Sequence, residues 1–145
     1  ALAGALGQAT ADALTPTTRE GIPTDVSGNR LPRAPEYTFS IGAQYEIDLS
    51  DSWSTIVRGD FYTQGDMYTR IFNREADRID SWNNANASLT FRNTDANFDF
   101  EIYGKNLLED DQITSQYLTD ASSGLFTNVF LLEPRQFGVR ISKDW

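Results

Sequence analysis

Asp99 and Glu101 stand two residues apart, and two carboxylates on one side of a strand are the minimum equipment for cleaving a glycosidic bond. Glu109, Asp110 and Asp111 form an acidic run of the kind that can hold a hard cation such as Ca²⁺. Arg70, Arg74 and Arg78 recur every fourth residue and could offer guanidinium forks to an anionic ligand or to lipopolysaccharide phosphates. Each group also has a plainer reading. The chain has no His, which removes the commonest general base and the commonest transition-metal ligand. Asp99 and Glu101 share their face with many other charges, so they read as part of a salt-bridged wall. The acidic run lacks the ligand spacing of a calcium loop and reads as a solvated loop. Glu75, Asp77 and Asp80 interleave with the arginines and would neutralise them. No catalytic residue, metal site or cofactor is expected, and an enzyme reading has no support.

Composition narrows the partners. The 145 residues suit one domain, and 12 Lys+Arg against 21 Asp+Glu give a net charge of −9. A nucleic-acid backbone is disfavoured, because there is no surplus of cations to release counterions. There is no Cys, so neither a disulfide framework nor a thiolate metal site is possible. No stretch reaches the 18 or more apolar residues of a transmembrane helix.

The elements that must position these groups are strands. From Glu36 to Asp48 the chain alternates without a slip: Tyr37, Phe39, Ile41, Ala43, Tyr45 and Ile47 against polar partners. On a helix Tyr37 and Phe39 would lie roughly 200° apart, so no apolar stripe could form. Further strands are expected over Trp53 to Gln64, with Ile56 breaking its polar face, over Ser81 to Arg92, and over Phe98 to Leu108. The last is expected over Phe130 to Trp145, interrupted near Pro134. Ala1 to Leu14 reads as a strand remnant or a short helix, and 16–35 as a loop rich in Gly and Pro.

The connections alternate in length: long at 16–35, 65–80 and 109–127, short at 49–52 and 93–97. In antiparallel strands this puts every short turn at one end and every long loop at the other, as in outer-membrane barrels. Arg58, Asp60, Asp99, Glu101, Lys105 and Arg140 share the polar face and suit a water-filled or plugged lumen. Phe137, Val139, Ile141 and Trp145 carry the apolar alternation of the last strand to a terminal aromatic, as at the closing end of a transmembrane barrel. The aromatics Trp53, Phe61, Phe98, Phe100 and Trp145 read as an interface girdle or lipid-facing surface rather than a sugar-stacking platform.

At Gly28-Asn-Arg-Leu-Pro-Arg-Ala-Pro35 the chain resembles the carboxyl-terminal part of a TonB-dependent outer-membrane receptor. Three more segments match in order. They are the Asn- and Ala-rich strand from Asn83 to Leu89, the Gly104-Lys-Asn-Leu-Leu-Glu-Asp110 segment, and Glu133-Pro-Arg-Gln-Phe-Gly-Val139 leading into the last strand. Lys143 departs from the family pattern, standing where an apolar residue is usual.

The resemblance implies an all-β fold: an antiparallel, up-and-down transmembrane β-barrel segment of about five to six long strands from a larger barrel. The chain would be a single region, with 1–35 a strand remnant and loop, 36–145 barrel strands, and the plug domain absent. It implies part of an active transporter in the outer membrane of a Gram-negative bacterium, taking up scarce large ligands with TonB-supplied energy. Siderophores, cobalamin and oligosaccharides are the ligand classes. Implied partners are the rest of the barrel and its plug, the TonB complex through a missing amino-terminal part, the barrel-assembly machinery, and outer-membrane lipid and lipopolysaccharide. The six charged residues would contact the plug, and the alternating end would be the assembly signal. Two other readings remain: a small self-contained barrel of eight strands, and a soluble carbohydrate-binding β-sandwich.

Overall fold

The computed structural model describes residues 23–144. The expectations for Ala1 to Leu14 and for Trp145 lie outside them. Among the described residues nine strands run in chain order: β1 (Thr38–Asp48), β2 (Trp53–Gln64), β3 (Met67–Tyr68), β4 (Arg78–Ile79), β5 (Trp82–Asn93), β6 (Phe98–Lys105), β7 (Ile113–Leu118), β8 (Thr127–Leu131) and β9 (Gln136–Lys143). Five of them make one antiparallel sheet in the order β1-β2-β5-β6-β9. Sequential long strands are neighbours throughout, which is up-and-down topology.

Alternation, broken in β2 only at Ile56, lets these strands pair without a slip. From Thr38↔Gln64 to Asp48↔Ser54, β1 and β2 run in unbroken register, and β2 and β5 do the same from Trp53↔Asn93 to Gln64↔Trp82. A one-residue shift would turn every apolar side chain to the other face. The short turns are built by polar residues. At 49–52 the amides of Leu49 and Ser50 both donate to the Trp53 carbonyl. At 94–97 the Asn93 side chain accepts from the Ala96 amide, and Asn97 takes φ +48°, a left-handed conformation Asn tolerates. The amide of Thr94 donates to the carbonyl of Ser52, tying the two short turns together, and the Asp144 amide donates to Asn97 beside them. All long connections leave from the opposite end, as the sequence rhythm requires.

Several expected bounds change. The fourth strand stops at Lys105 rather than Leu108, because Asn106 turns the chain at φ +46°. The expected final strand from Phe130 to Trp145 is two strands in different sheets. Phe130 belongs to β8, which pairs with β7, while β9 begins at Gln136 and pairs with β6. Pro134 has no amide to give a ladder, and the chain crosses between sheets there. The polar stretch 109–127 is therefore half of a hairpin rather than a plain loop. The charged loop 65–80 likewise holds the short β3–β4 pair and a 3₁₀ turn over Glu75–Asp77.

The main sheet is a single layer. The only buried hydrophobic side chains among the described residues are Ile56, Met67 and Ile79. Large apolar residues instead stand in the open: Tyr45 is 71% exposed, Phe137 72%, and Val139 and Ile141 64% each. A soluble sandwich covers such a face with a second sheet, and none among the described residues does so.

Candidate functional site

Register sorts the sheet into two faces of opposite chemistry. On one, cross-strand rows read Ile47–Thr55–Phe91–Phe100–Ile141 and Tyr45–Val57–Leu89–Ile102–Val139. Trp53, Asn93, Phe98 and Lys143 form the row at the short-turn end, and Phe39, Thr63 and Asn83 form a row near the other. Ten steps along β2 separate these rows, about 33 Å of strand. Tilted by about 40°, that run stands about 25 Å tall, the height of a barrel's lipid-facing band. Trp53 thus sits at one edge of the band, where an amphipathic aromatic meets headgroups, and Phe98 lies in the same row. Lys143 lies in the same edge row, where a long stem can carry its ammonium toward water.

On the other face the rows are Gln44–Arg58–Ser88–Tyr103–Gly138, Glu46–Ile56–Thr90–Glu101–Arg140 and Asp48–Ser54–Arg92–Asp99–Ser142. The six expected residues Arg58, Asp60, Asp99, Glu101, Lys105 and Arg140 all fall here. Ile56, the apparent break in pattern, is buried among them. Opposite charges meet directly across strands: Arg140 Nη1 reaches Glu101 Oε2 at 2.7 Å, and Arg92 grips both oxygens of Asp99 at 3.1 and 3.2 Å. Asp60 accepts from Asn86 at 2.6 Å. Asp99 and Glu101 are therefore engaged as wall carboxylates, each with its own arginine. Two hollows of about 510 and 340 Å³ open on this face, both bordered by Arg58 and Arg140.

Close backbone approach is needed where aromatics lie across the wall. A Cβ on Gly138 would meet the Tyr103 hydroxyl, and Tyr103 Cζ at 2.5 Å. The tyrosine ring covers the glycine opposite it, a pairing that shields an exposed backbone, and Arg140 lies over that ring at 5.8 Å.

The long loops are not loose. Asn106 is 1% exposed and its side chain is saturated: it donates to the carbonyls of Asp110 (3.2 Å) and Glu133 (2.9 Å) and accepts from the Asp110 amide (3.2 Å). The Asp110 carboxylate in turn accepts from the Asn83 amide at 2.8 Å, and Glu109 pairs with Arg135 at 2.8 Å. Two of the three acids in the 109–111 run are thus structural ties. Among the described residues no cluster of His, Cys, Asp or Glu could hold a metal ion. On the adjoining loops Arg30 binds Asp66 at 2.9 Å, Asn73 accepts from the Arg30 amide at 2.6 Å, and the Arg33 amide donates to the Tyr68 carbonyl at 2.6 Å. Burial pushes the Asp66 carboxyl upward, but Arg30 and then Arg78 outweigh it and hold it below the ordinary carboxylate range. Arg70 is paired with buried Asp77, Arg74 lies 5.6 Å over the Phe72 ring, and Arg78 meets Asp66, Glu75 and Asp80. Arg70 and Arg78 are neutralised within their own loop, while Arg74 meets an aromatic ring rather than an acid. Gln116 of β7 donates to the Ala76 carbonyl at 3.0 Å, joining the β7–β8 hairpin to this assembly.

Sequence reasoning noted Asn106 only as part of a family-like segment and missed its role, and it missed Gln116 and the Tyr62–Trp82 ring pair at 4.9 Å. Only for Asn106 was there a local signal: an Asn directly after a strand's last alternating residue, where a left-handed turn is cheapest.

The family model described as TonB dependent receptor-like, beta-barrel matches residues 3–107, well over half of the chain. The chain belongs to the TonB-dependent receptor β-barrel family. Its segment is all-β and antiparallel, and members of the family are outer-membrane transporters rather than enzymes. The matched region contains the Gly28–Pro35 and Asn83–Leu89 segments, while Glu133–Val139 lies beyond it. No curated protein and no solved structure matches the chain. No helix among the described residues is long and apolar enough to cross a membrane, which has no bearing on a chain that crosses with strands.

Proposed function

We propose that this chain forms the carboxyl-terminal wall of a receptor that takes up a scarce, large ligand with energy supplied through TonB. The observation that carries the reading is the single-layer sheet with an uncovered apolar band on one face and in-register charges on the other. A band of that height is suited to lipid, and a charged face is suited to a plugged lumen. Backbone at the outer edges of β1 and β9 has no partner strand among the described residues. In lipid each unpaired polar group costs several kcal/mol, so further strands of the barrel would complete both edges. The long loops face outward, the short turns and the end of β9 face the periplasm, and the alternating Phe137, Val139 and Ile141 serve as the assembly signal. Siderophore, cobalamin or oligosaccharide is the ligand class.

The test uses the full-length receptor. Arg58, Asp60, Asp99, Glu101, Lys105 and Arg140 are neutralised singly and together, and plug retention and ligand uptake are measured. The reading expects the combined variant to lose both while still reaching the outer membrane. Unchanged retention and uptake would contradict it.

A further inference from the structure

The polar face changes chemistry along its height. Toward the short turns its rows are charged, and the hollow of about 510 Å³ sets Asp60, Glu101 and Glu133 against Arg58, Lys105 and Arg140, a balance with no net pull on an ion. Nearer the long loops, the rows Ser40–Tyr62–Asn84 and Thr38–Gln64–Trp82 carry no charge at all. Beyond them Arg30 and Arg78 are spent on Glu36, Asp66, Glu75 and Asp80. The uncharged band thus offers hydroxyls, amides and two half-buried rings. Those rings, Tyr62 and Trp82, are tilted by 41° with centroids 4.9 Å apart.

Two polar atoms in this band are unengaged. Among the described residues Trp82 Nε1 donates to nothing and Asn84 Oδ1 accepts from nothing, although both are shut off from bulk water. Their neighbours are committed: the Tyr62 hydroxyl donates to Gln64 at 3.0 Å, and Asn86 donates to Asp60 and accepts from the Asn106 amide. A covered donor or acceptor without a partner is costly, and an indole N–H ordinarily finds one. Trp82 and Asn84 stand two residues apart on one face of β5, about 7 Å between Cα atoms, so one atom between the side chains can serve both. That atom must accept from the indole and donate to the amide oxygen. A hydroxyl does both, whereas a carboxylate cannot donate and an ammonium cannot accept. Asn84 borders the hollow, so a ligand there meets this oxygen after a turn of the amide about its own side-chain bonds. We infer that Tyr62, Trp82 and Asn84 form a subsite for a neutral sugar ring, whose C–H face packs on the aromatic rings while one hydroxyl bridges Trp82 Nε1 and Asn84 Oδ1. This rests on the proposed reading of the polar face as the lumen side, and it narrows the three ligand classes to a neutral oligosaccharide.

The test reads fluorophore-labelled full-length receptor on an array of neutral and acidic oligosaccharides, with a ferric hydroxamate siderophore and cobalamin as competitors. Binding to a neutral oligosaccharide that neither competitor displaces is expected. Trp82→Phe keeps a ring and removes the donor; Asn84→Leu removes the acceptor. Each should weaken that binding about tenfold, the worth of one hydrogen bond, with heat-resistant mobility retained. Binding confined to acidic oligosaccharides, siderophore or cobalamin, or to no probe, overturns the subsite. Neutral binding left unchanged by both substitutions also overturns it, in favour of a water molecule between the two atoms. Ser40→Cys, in the row of Tyr62, separates this from the lumen reading. In the lipid-embedded receptor it should react with a water-soluble maleimide and be protected by the bound oligosaccharide. Shielding from both water-soluble and lipid-soluble maleimides overturns the subsite and leaves the lumen reading standing, because another part of the receptor then covers the row. Reaction with the lipid-soluble reagent alone overturns both.

Discussion

Replacing Asn106 by Ala should unfasten the long-loop end of the wall without disturbing the sheet. The side chain makes three hydrogen bonds and is 1% exposed, so water does not replace its partners unless the loop opens. At about 1 kcal/mol for each bond, the loss is roughly 3 kcal/mol. Ala at φ +46° adds about 1 kcal/mol of backbone strain that Asn bears more easily. Because the strain is absent with Gly, Asn106→Gly should lose only the hydrogen-bond share. The opening free energy of the segment 107–135 therefore falls by roughly 3–4 kcal/mol with Ala, a rise of more than a hundredfold in the open population. Limited proteolysis of the full-length receptor in its membrane, under conditions where cleavage is slow relative to reclosing, reads that population. The Ala variant should be nicked within 107–135 more than a hundredfold faster, the Gly variant somewhat less so, and both should keep the heat-resistant mobility of a folded barrel. Nicking at the wild-type rate would refute the argument, as would a Gly variant more damaged than the Ala variant.

Three other outcomes follow from the same geometry. The Arg30–Asp66–Arg78 contacts hold the Asp66 carboxyl below its ordinary range, so their contribution is complete above about pH 4 and is lost as pH falls through the lowered value. Pepsin nicking of 65–80 should accelerate over that acidic window, and Asp66→Asn should show the faster rate at every pH. Gly138→Ala drives a methyl into the Tyr103 ring and should impair assembly by about 1–3 kcal/mol, with Tyr103→Ser restoring heat-resistant mobility. Gly104→Ala meets chiefly the flexible end of Leu107 and should be milder. Val57→Arg, in the middle of the apolar band, should cost about 2–4 kcal/mol and reduce the folded receptor in outer membranes, whereas Ser88→Arg on the opposite face should assemble normally.

The long strands were legible because their signal is local. Tyr37 to Ile47 alternate with a period that only a strand can use, and the alternation fixes which side chains share a face before any partner is known. The loop rhythm then fixed the ends. The β7–β8 hairpin was not legible for a physical reason: a register irregularity between Ile113 and Ser115 breaks its alternation, and its second strand runs on toward Pro134 with the look of one interrupted element. The charged face was readable as a face, but not its internal economy. That Arg140 meets Glu101 while Arg58 meets nothing depends on inter-strand register, which pairs residues 39 positions apart. The interleaved acids announce the ion pairs of Arg70 and Arg78, but not that Arg74 lies over the Phe72 ring instead of meeting an acid. The acidic run 109–111 was read as merely solvated, because nothing near Asp110 in sequence reveals that its partner is the amide of Asn83.

A membrane wall requires β1 to carry lipid on one face and the lumen on the other. Nitroxide scanning from Phe39 to Ile47 in the full-length receptor, in lipid, tests it most directly. Collision with oxygen, which concentrates in lipid, should peak at 39, 41, 43, 45 and 47. Collision with a water-soluble nickel chelate, where the lumen admits it, should peak at the even positions between them, out of phase with period 2. Odd positions that are immobile and shielded from both reagents would mean a protein core behind the apolar face, and the membrane account would be contradicted.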